Sequence, residues 1–269
     1  MNVRKTEEIN NPLVSIIMPA YNSERFIKES INSVLNQTYS NWEMIIVDDC
    51  STDHTPELVA TYQQEDSRIK LIRLGQNSGP AIARNTAMDE AQGRFIAFLD
   101  SDDLWLPFKL ERQLNFMLVK GIAFSFTEYR RIKEDGAEVM NTTLDAPVTI
   151  NYDELMKHCV IGCLTVMLDT RKTGKVRMIN IPTRQDYVLW LTIMKRGIPA
   201  YGLPEVLAKY RLVKDSISSD KLKMARQNWK VYRKIEKQSF IKSSWYFSHY
   251  FLSYVKRFIR SKSDIMKYL

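Results

Sequence analysis

The sequence predicts an α/β fold: a doubly wound, mostly parallel sheet with flanking helices and a helical C-terminal tail. Three observations predict it. Continuous apolar runs, Val14 to Met18 and Phe95 to Leu99, have the character of strands covered on both faces. Segments of helical periodicity alternate with such runs through the first hundred residues. Helix-start signals, Thr55-Pro56 and Gly79-Pro80, stand between them.

The elements follow in order. Val14 to Met18 is the first strand, ended by Pro19. Ser23 caps a helix from Glu24 to about Asn36, with Phe26, Ile27, Ile31, Val34 and Leu35 on one side. Met44 to Val47 is the second strand and runs into Asp48 and Asp49. A helix from Thr55-Pro56 leads to the third strand, Ile69 to Leu74. Gly79-Pro80 opens a helix ending near Gly93, and Phe95 to Leu99 is the fourth strand. Ala123 to Tyr129 reads as a further strand, 133 to 139 as a turn, and Tyr152 to His158 and Tyr187 to Arg196 as helices. The expected organisation is one unit over 1–220, split at about 13–125 and 126–220, followed by a tail over 221–269.

Bulk properties narrow the class. The chain has 269 residues and a net charge of +8. Thirteen Lys/Arg and two acids fall in 221–269, so the tail carries +11 and the body −3. A nucleic-acid enzyme more often spreads its cations around the cleft, so no nucleic-acid partner is expected. The start is polar, which predicts no signal peptide, and no run approaches the ~20 apolar residues of a membrane span. Three cysteines do not make a disulfide framework and fit a reducing cytosol. His158, Cys159 and Cys163 lack the second ligand pair of a structural zinc site and read as ordinary small residues.

The chemistry is concentrated after the fourth strand. "FLDSDD" places Asp100, Asp102 and Asp103 in four positions. In open α/β sheets ligands sit beyond the carboxyl ends of the strands. There Pro19-Ala20-Tyr21, Asp48-Asp49 and Asp100-Ser101-Asp102-Asp103 are expected to converge. Carboxylates without His or Cys select a hard cation, Mg2+ or Mn2+, completed by substrate phosphates. Tyr21 can stack on a base, and Asp49 can accept a ring N–H. Arg84, in the second turn of the Gly79-Pro80 helix, can pair with a phosphate or with one of the aspartates.

Two stretches, "VSIIMPAYNSERFIKESINSVLNQTYSNWEMIIVDDCSTD" and "NSGPAIARNTAMDEAQGRFIAFLDSDDLW", strongly resemble the family 2 glycosyltransferases of the GT-A fold. The resemblance is close over 13 to about 110 and continues through "RQDYVLWLTIMKRG" and "KYRLVKDSIS". The subset is similar to bacterial enzymes that build O-antigen, capsule and teichuronic acid repeats. It implies a UDP-sugar donor and a polyprenyl-diphosphate-linked saccharide acceptor. Pro19, Ala20, Tyr21 and Asp49 fall where the family holds the nucleobase. Asp48, Arg84, Ser101 and Gln185 are the further expected donor contacts. Asp100-Ser101-Asp102 falls on the DXD motif, with Asp102 as metal ligand and Asp100 shared between ribose and metal. Asp186 falls on the catalytic base, with Gln185 where the family usually has Glu. Arg211 and 216–219 match a loop that often closes over the donor. The absent QxxRW motif implies transfer of one sugar per encounter, and a single base implies inversion.

Two other metal-using classes fit the motif less well. A haloacid-dehalogenase-type phosphatase places D-x-D on its first strand, followed by Thr, and here it follows the fourth and precedes Leu104-Trp105. A nucleotidyltransferase wants a Gly-rich basic signature beside the first strand, and "MPAYNSE" has none. In the tail, Phe247, Phe251, Tyr254, Val255 and Phe258 share one face at helical spacing, with Lys256, Arg257 and Arg260 toward the other. This pattern predicts a peripheral enzyme on the cytoplasmic face of the cytoplasmic membrane.

Overall fold

The computed structural model describes residues 11–140, 143, 145–214 and 221–252. Strands β1 (Val14–Ala20) and β2 (Trp42–Asp48) are buried at every position. They pair in parallel from Val14↔Trp42 to Ala20↔Asp48. β3 (Ile69–Arg73) extends the sheet beyond β2, and β4 (Phe95–Phe98) lies on the other side of β1, both parallel. Helices α1 (Ile27–Leu35), α2 (Thr55–Glu65) and α3 (Pro80–Glu90) make the crossovers. Alternation along the strands divides the core in two. Ile17, Ile45 and Val47 pack with Ala81, Ala83 and Ala87 of α3. Ile16, Met18, Met44 and Ile46 pack with Ile27, Ile31 and Val34 of α1 and Val59 of α2.

The second half adds strands to the same sheet. After β5 (Leu104–Trp105) and α4 (Lys109–Lys120) come β6 (Phe124–Ile132), β7 (Thr149–Ile150), α5 (Tyr152–Lys157), β8 (Met167–Asp169), α6 (Thr170–Thr173), α7 (Gln185–Lys195) and β9 (Ala200–Arg211). The strand order is β3-β2-β1-β4-β8-β6-β9-β5, with β7 on β9. β8 runs antiparallel between β4 and β6, while β6 and β9 are parallel. Arg94 at the root of β4 grips buried Asp169 of β8 through Nε at 3.2 Å and a terminal nitrogen at 2.7 Å. The amide of Asn85 in α3 exchanges two hydrogen bonds of 2.8 Å with the backbone of Met178. Gly93 is required by close approach: a Cβ there would lie 2.7 Å from the Ser15 nitrogen.

Two expected boundaries are corrected. β1 continues through Pro19 to Ala20. The last β1–β4 partners are Ile17 and Phe98, and a Pro19 N–H would point toward the side β4 has already left, so no ladder bond is lost. Ser23 does not cap a helix from Glu24. Its carbonyl accepts the N–H groups of Phe26 and Ile27, and α1 starts at Ile27. Its hydroxyl is 2.7 Å from that of Ser101 instead.

The tail is helical where described: α8 (Lys221–Lys230), a π turn at Val231–Ile235, and α9 over 240–252. Its inner side packs on the second half. Tyr232 Oη donates to the Met156 carbonyl at 2.9 Å, and Tyr246 Oη to Asp153 at 2.7 Å. Phe247, expected on the outward stripe, turns inward against Trp229, with ring centroids 5.6 Å apart. Phe240, Ile241, Trp245, Phe251 and Leu252 are the exposed apolar residues of α9. Tyr254, Val255, Phe258, Lys256, Arg257 and Arg260 lie outside the described residues, as does the expected loop at 216–219. Among the described residues no helix is long and apolar enough to cross a membrane.

Candidate active site

Parallel pairing of β1, β2 and β4 brings the segments after Ala20, Asp48 and Phe98 to one sheet edge. Hydroxyls lace them together. Besides its contact with Ser23, Ser101 gives its carbonyl to Ser30 Oγ at 2.9 Å. The Ser23 N–H donates to Thr55 Oγ1 at 2.7 Å. Asn22 and Cys50 both hold positive φ, 48° and 62°. That costly left-handed geometry is locked by Asn22 N–H donating to Ser51 Oγ and Thr52 N–H to Asn22 Oδ1, each at 2.9 Å. Beside this hairpin of loops, Pro19 and Ala20 are buried and Tyr21 is 48% exposed.

The two aspartates ending β2 have different tasks. Asp49 is buried and takes the N–H groups of Ser78 and Gly79 on separate oxygens, each at 2.7 Å. It anchors the entry to α3, where Gly79 at φ 90° is the N-cap. Asp48 is buried too; Oδ2 accepts from Ser51 N–H at 3.2 Å, and Oδ1 has no partner.

Arg84 and the acidic turn form the centre. The buried guanidinium of Arg84 donates to Asp100, one of its two expected kinds of partner, at 2.5 Å. Burial alone would lower the Arg84 pKa; the charge of Asp100, helped by that of Asp186, outweighs burial and raises it. Arg84 therefore stands in the field of both acids. Burial, then the neighbouring charge of Asp100, pushes the Asp102 carboxyl up to about 6. Burial, then the charges of Asp102 and Asp100, pushes the Asp103 carboxyl well above the carboxylate range.

Asp103 and Arg211 latch the turn to the end of β9. The Arg211 N–H donates to Asp103 Oδ1 at 2.8 Å. Its guanidinium donates to the carbonyls of Asp102 at 2.8 Å and Glu134 at 2.9 Å, and to Glu29 at 2.7 Å. Arg211, expected to contact the donor, is fully buried and faces the fold, so it positions the acidic turn.

Asp186 lies in the first turn of α7, partly exposed. It is not the N-cap. That position belongs to Arg184 at φ 70°, with no side-chain cap. Gln185, also expected at the donor, is buried and donates to the Ile181 carbonyl at 2.7 Å, which braces the turn carrying Asp186. Sequence reasoning missed three members of this region. Cys163 is a buried thiol whose pKa burial pushes well up, in the field of Arg84, Asp100 and Asp186. Glu29 holds Arg211 from α1. Arg184 reaches Cys159 and Tyr250. Each depends on partners distant in the chain, and only the acidity of Glu29 in an amphipathic helix was visible.

The donor set bears on a metal. Among the described residues no three His, Cys, Asp or Glu are placed to hold an ion together. No side chain among them hydrogen-bonds the Asp102 carboxylate, and Asp100 keeps one oxygen clear of Arg84. Two hard carboxylates with like-charge repulsion between them suit Mg2+ or Mn2+, whose remaining positions go to phosphate and water. The residues fit such an ion, with Asp102 first and Asp100 second.

Comparison with known proteins gives the same direction. Residues 15–170 match the family described as Glycosyl transferase family 2. The chain is 50% identical over 246 residues, 91% of its length and 97% of the relative's, to the "Putative teichuronic acid biosynthesis glycosyltransferase TuaG" of Bacillus subtilis. It is 46% identical over 220 residues, 81% of its length and 85% of the relative's, to an Escherichia coli protein. That relative is named "UDP-Glc:alpha-D-GlcNAc-diphosphoundecaprenol beta-1,3-glucosyltransferase WfgD". Among solved structures, S. aureus TarS 1-349 in complex with UDP-GlcNAc superposes with a TM-score of 0.66 at 22% identity, covering 82% of this chain and 66% of that one.

Proposed function

The chain belongs to glycosyl transferase family 2, and from that premise we propose that this glycosyltransferase moves a hexose from a UDP-sugar to a lipid-diphosphate-linked saccharide in surface-polysaccharide synthesis. The names of two relatives favour glucose as the hexose and lipid-linked GlcNAc as the acceptor. The observation that carries the reading is the convergence of Asp48, Asp100 and Asp102 at one sheet edge, with Asp100 and Asp186 both acting on Arg84.

Each residue then has a task. Tyr21 stacks on the base and Asp49 accepts its N–H, while Asp48 and Ser101 hold the loops that shape this pocket. Arg84 holds Asp100 in place through their hydrogen bond, oriented toward the ribose side. Asp102 and Asp100 would hold Mg2+ or Mn2+, which would supply stabilisation of charge on the departing diphosphate. Asp186 takes the proton from the acceptor hydroxyl as that oxygen attacks the anomeric carbon. One base and direct displacement invert the anomeric centre, and the product leaves after a single transfer.

The acceptor is lipid-borne, and the tail supplies a surface for it. Between 221 and 252 stand eight Lys/Arg and one acid, beside the exposed apolar side of α9. This supports a peripheral enzyme on the cytoplasmic leaflet. The function is tested with purified protein, a panel of UDP-hexoses, Mn2+ or Mg2+, and synthetic GlcNAc-diphosphate-lipid. Glycosylated lipid with released UDP is the expected product; no transfer from any UDP-hexose overturns the reading. Full-length protein is expected to float with anionic vesicles, and failure to float at low salt removes the docking part.

A further inference from the structure

Arg184 is a half-buried cation whose two hydrogen-bond partners are a thiol and a phenol. One terminal nitrogen is 3.3 Å from the Cys159 thiol and the other 3.3 Å from the Tyr250 hydroxyl. Its Nε is buried without a partner. Among the described residues no carboxylate hydrogen-bonds it. Burial alone would lower its pKa; Cys159, Tyr250 and the charge of Asp186 outweigh burial and raise it, while Nε still lacks an acceptor that an anion would supply. The residue is held at φ 70°, two positions before Asp186, so its location is tied to that of the base. Two histidines from separate segments meet, and each is the chain neighbour of an Arg184 partner. His158 adjoins Cys159, His249 adjoins Tyr250, and their rings lie 6.1 Å apart. His249 in turn stacks edge-on against Trp245 at 4.5 Å, and Trp245 opens the exposed apolar side of α9.

We infer that Arg184, His158 and His249 form a subsite for the diphosphate of the lipid-linked acceptor, between the base and the lipid-facing side of α9. This rests on the lipid-diphosphate reading above and adds its recognition site. A diphosphate joins a sugar on one side to a lipid on the other. Asp186 stands two residues after Arg184, and Arg184 hydrogen-bonds Tyr250 of the helix that carries Trp245. The anion replaces weak thiol and phenol contacts with charge-assisted hydrogen bonds.

The chain has three histidines, so ring resonances resolve each one. Full-length protein saturated with UDP is titrated with inorganic pyrophosphate. His158 and His249 are expected to shift together and saturably, with His54 still, and Arg184→Gln is expected to abolish the shift. Movement of His54 alone, or no movement, overturns the subsite whatever the transfer assay gives. Kinetics adds a second arm. Arg184→Gln should raise KM for GlcNAc-diphosphate-lipid at least ~10-fold, leaving the UDP-sugar KM and the KM of a neutral GlcNAc-glycoside lipid unchanged. Arg184→Lys should recover part of the loss. A kcat loss shared equally by both acceptors, or a wild type indifferent to the diphosphate, overturns the proposal. If pyrophosphate shifts the histidines while no lipid acceptor is glycosylated, the subsite stands and the transfer reading fails.

Discussion

Arg84 and Arg184 both feel the charge of Asp186 and differ in what they hydrogen-bond. Arg84 is buried and paired with Asp100 at 2.5 Å. Arg184 is half-buried and meets a thiol and a phenol. The first arginine is therefore fixed by a carboxylate before any ligand arrives, the kind of preorganisation that favours binding, while the second can exchange weak contacts for stronger ones.

Substitutions can break this contrast. The largest effect is expected at Asp102→Asn: turnover falls at least ~1000-fold, and divalent-dependent UDP binding by titration calorimetry disappears with the fold intact. Retained metal-dependent binding would move the ion elsewhere. Arg94→Ala strands buried Asp169 between the two halves and should cost about 3 kcal/mol in urea unfolding. A single transition in that mutant shows halves that fold as one body; two transitions show independent units. Asp186→Asn should lower kcat about 100-fold with donor affinity unchanged. If it weakens UDP binding like Asp102→Asn, the roles of Asp102 and Asp186 are not separable. The smallest effect is at Asn151→Ala, which removes the capping box of α5, where Asn151 Oδ1 accepts from Glu154 N–H at 3.1 Å. About 1 kcal/mol is expected by the same unfolding measurement.

What could be read in advance follows from the range of the forces. Periodicity and helix-start residues are local, so the four parallel strands and the placing of Asp48, Asp100 and Asp102 at their ends were legible. Partner choice is not local. Asp49 turned out to anchor Ser78 and Gly79, and Arg211 to close on an acidic turn 108 residues away. The tail shows the limit for a single helix: its spacing announced an apolar stripe, but which stripe faces outward depends on Trp229, Tyr232 and Tyr246, which claimed the inner side. The left-handed cap at Arg184 carries no glycine to announce it.

The latch between Asp103 and Arg211 also sets an order of assembly on the ribosome. The acidic turn emerges during synthesis more than a hundred residues before the strand that secures it. Until β9 is made and docks beside β6 and β5, Asp103 lacks its amide and the Asp102 carbonyl lacks its guanidinium. A nascent chain stalled before residue 211 thus carries the donor-edge acids without the geometry to use them, and competence for the nucleotide arrives only with the close of the sheet.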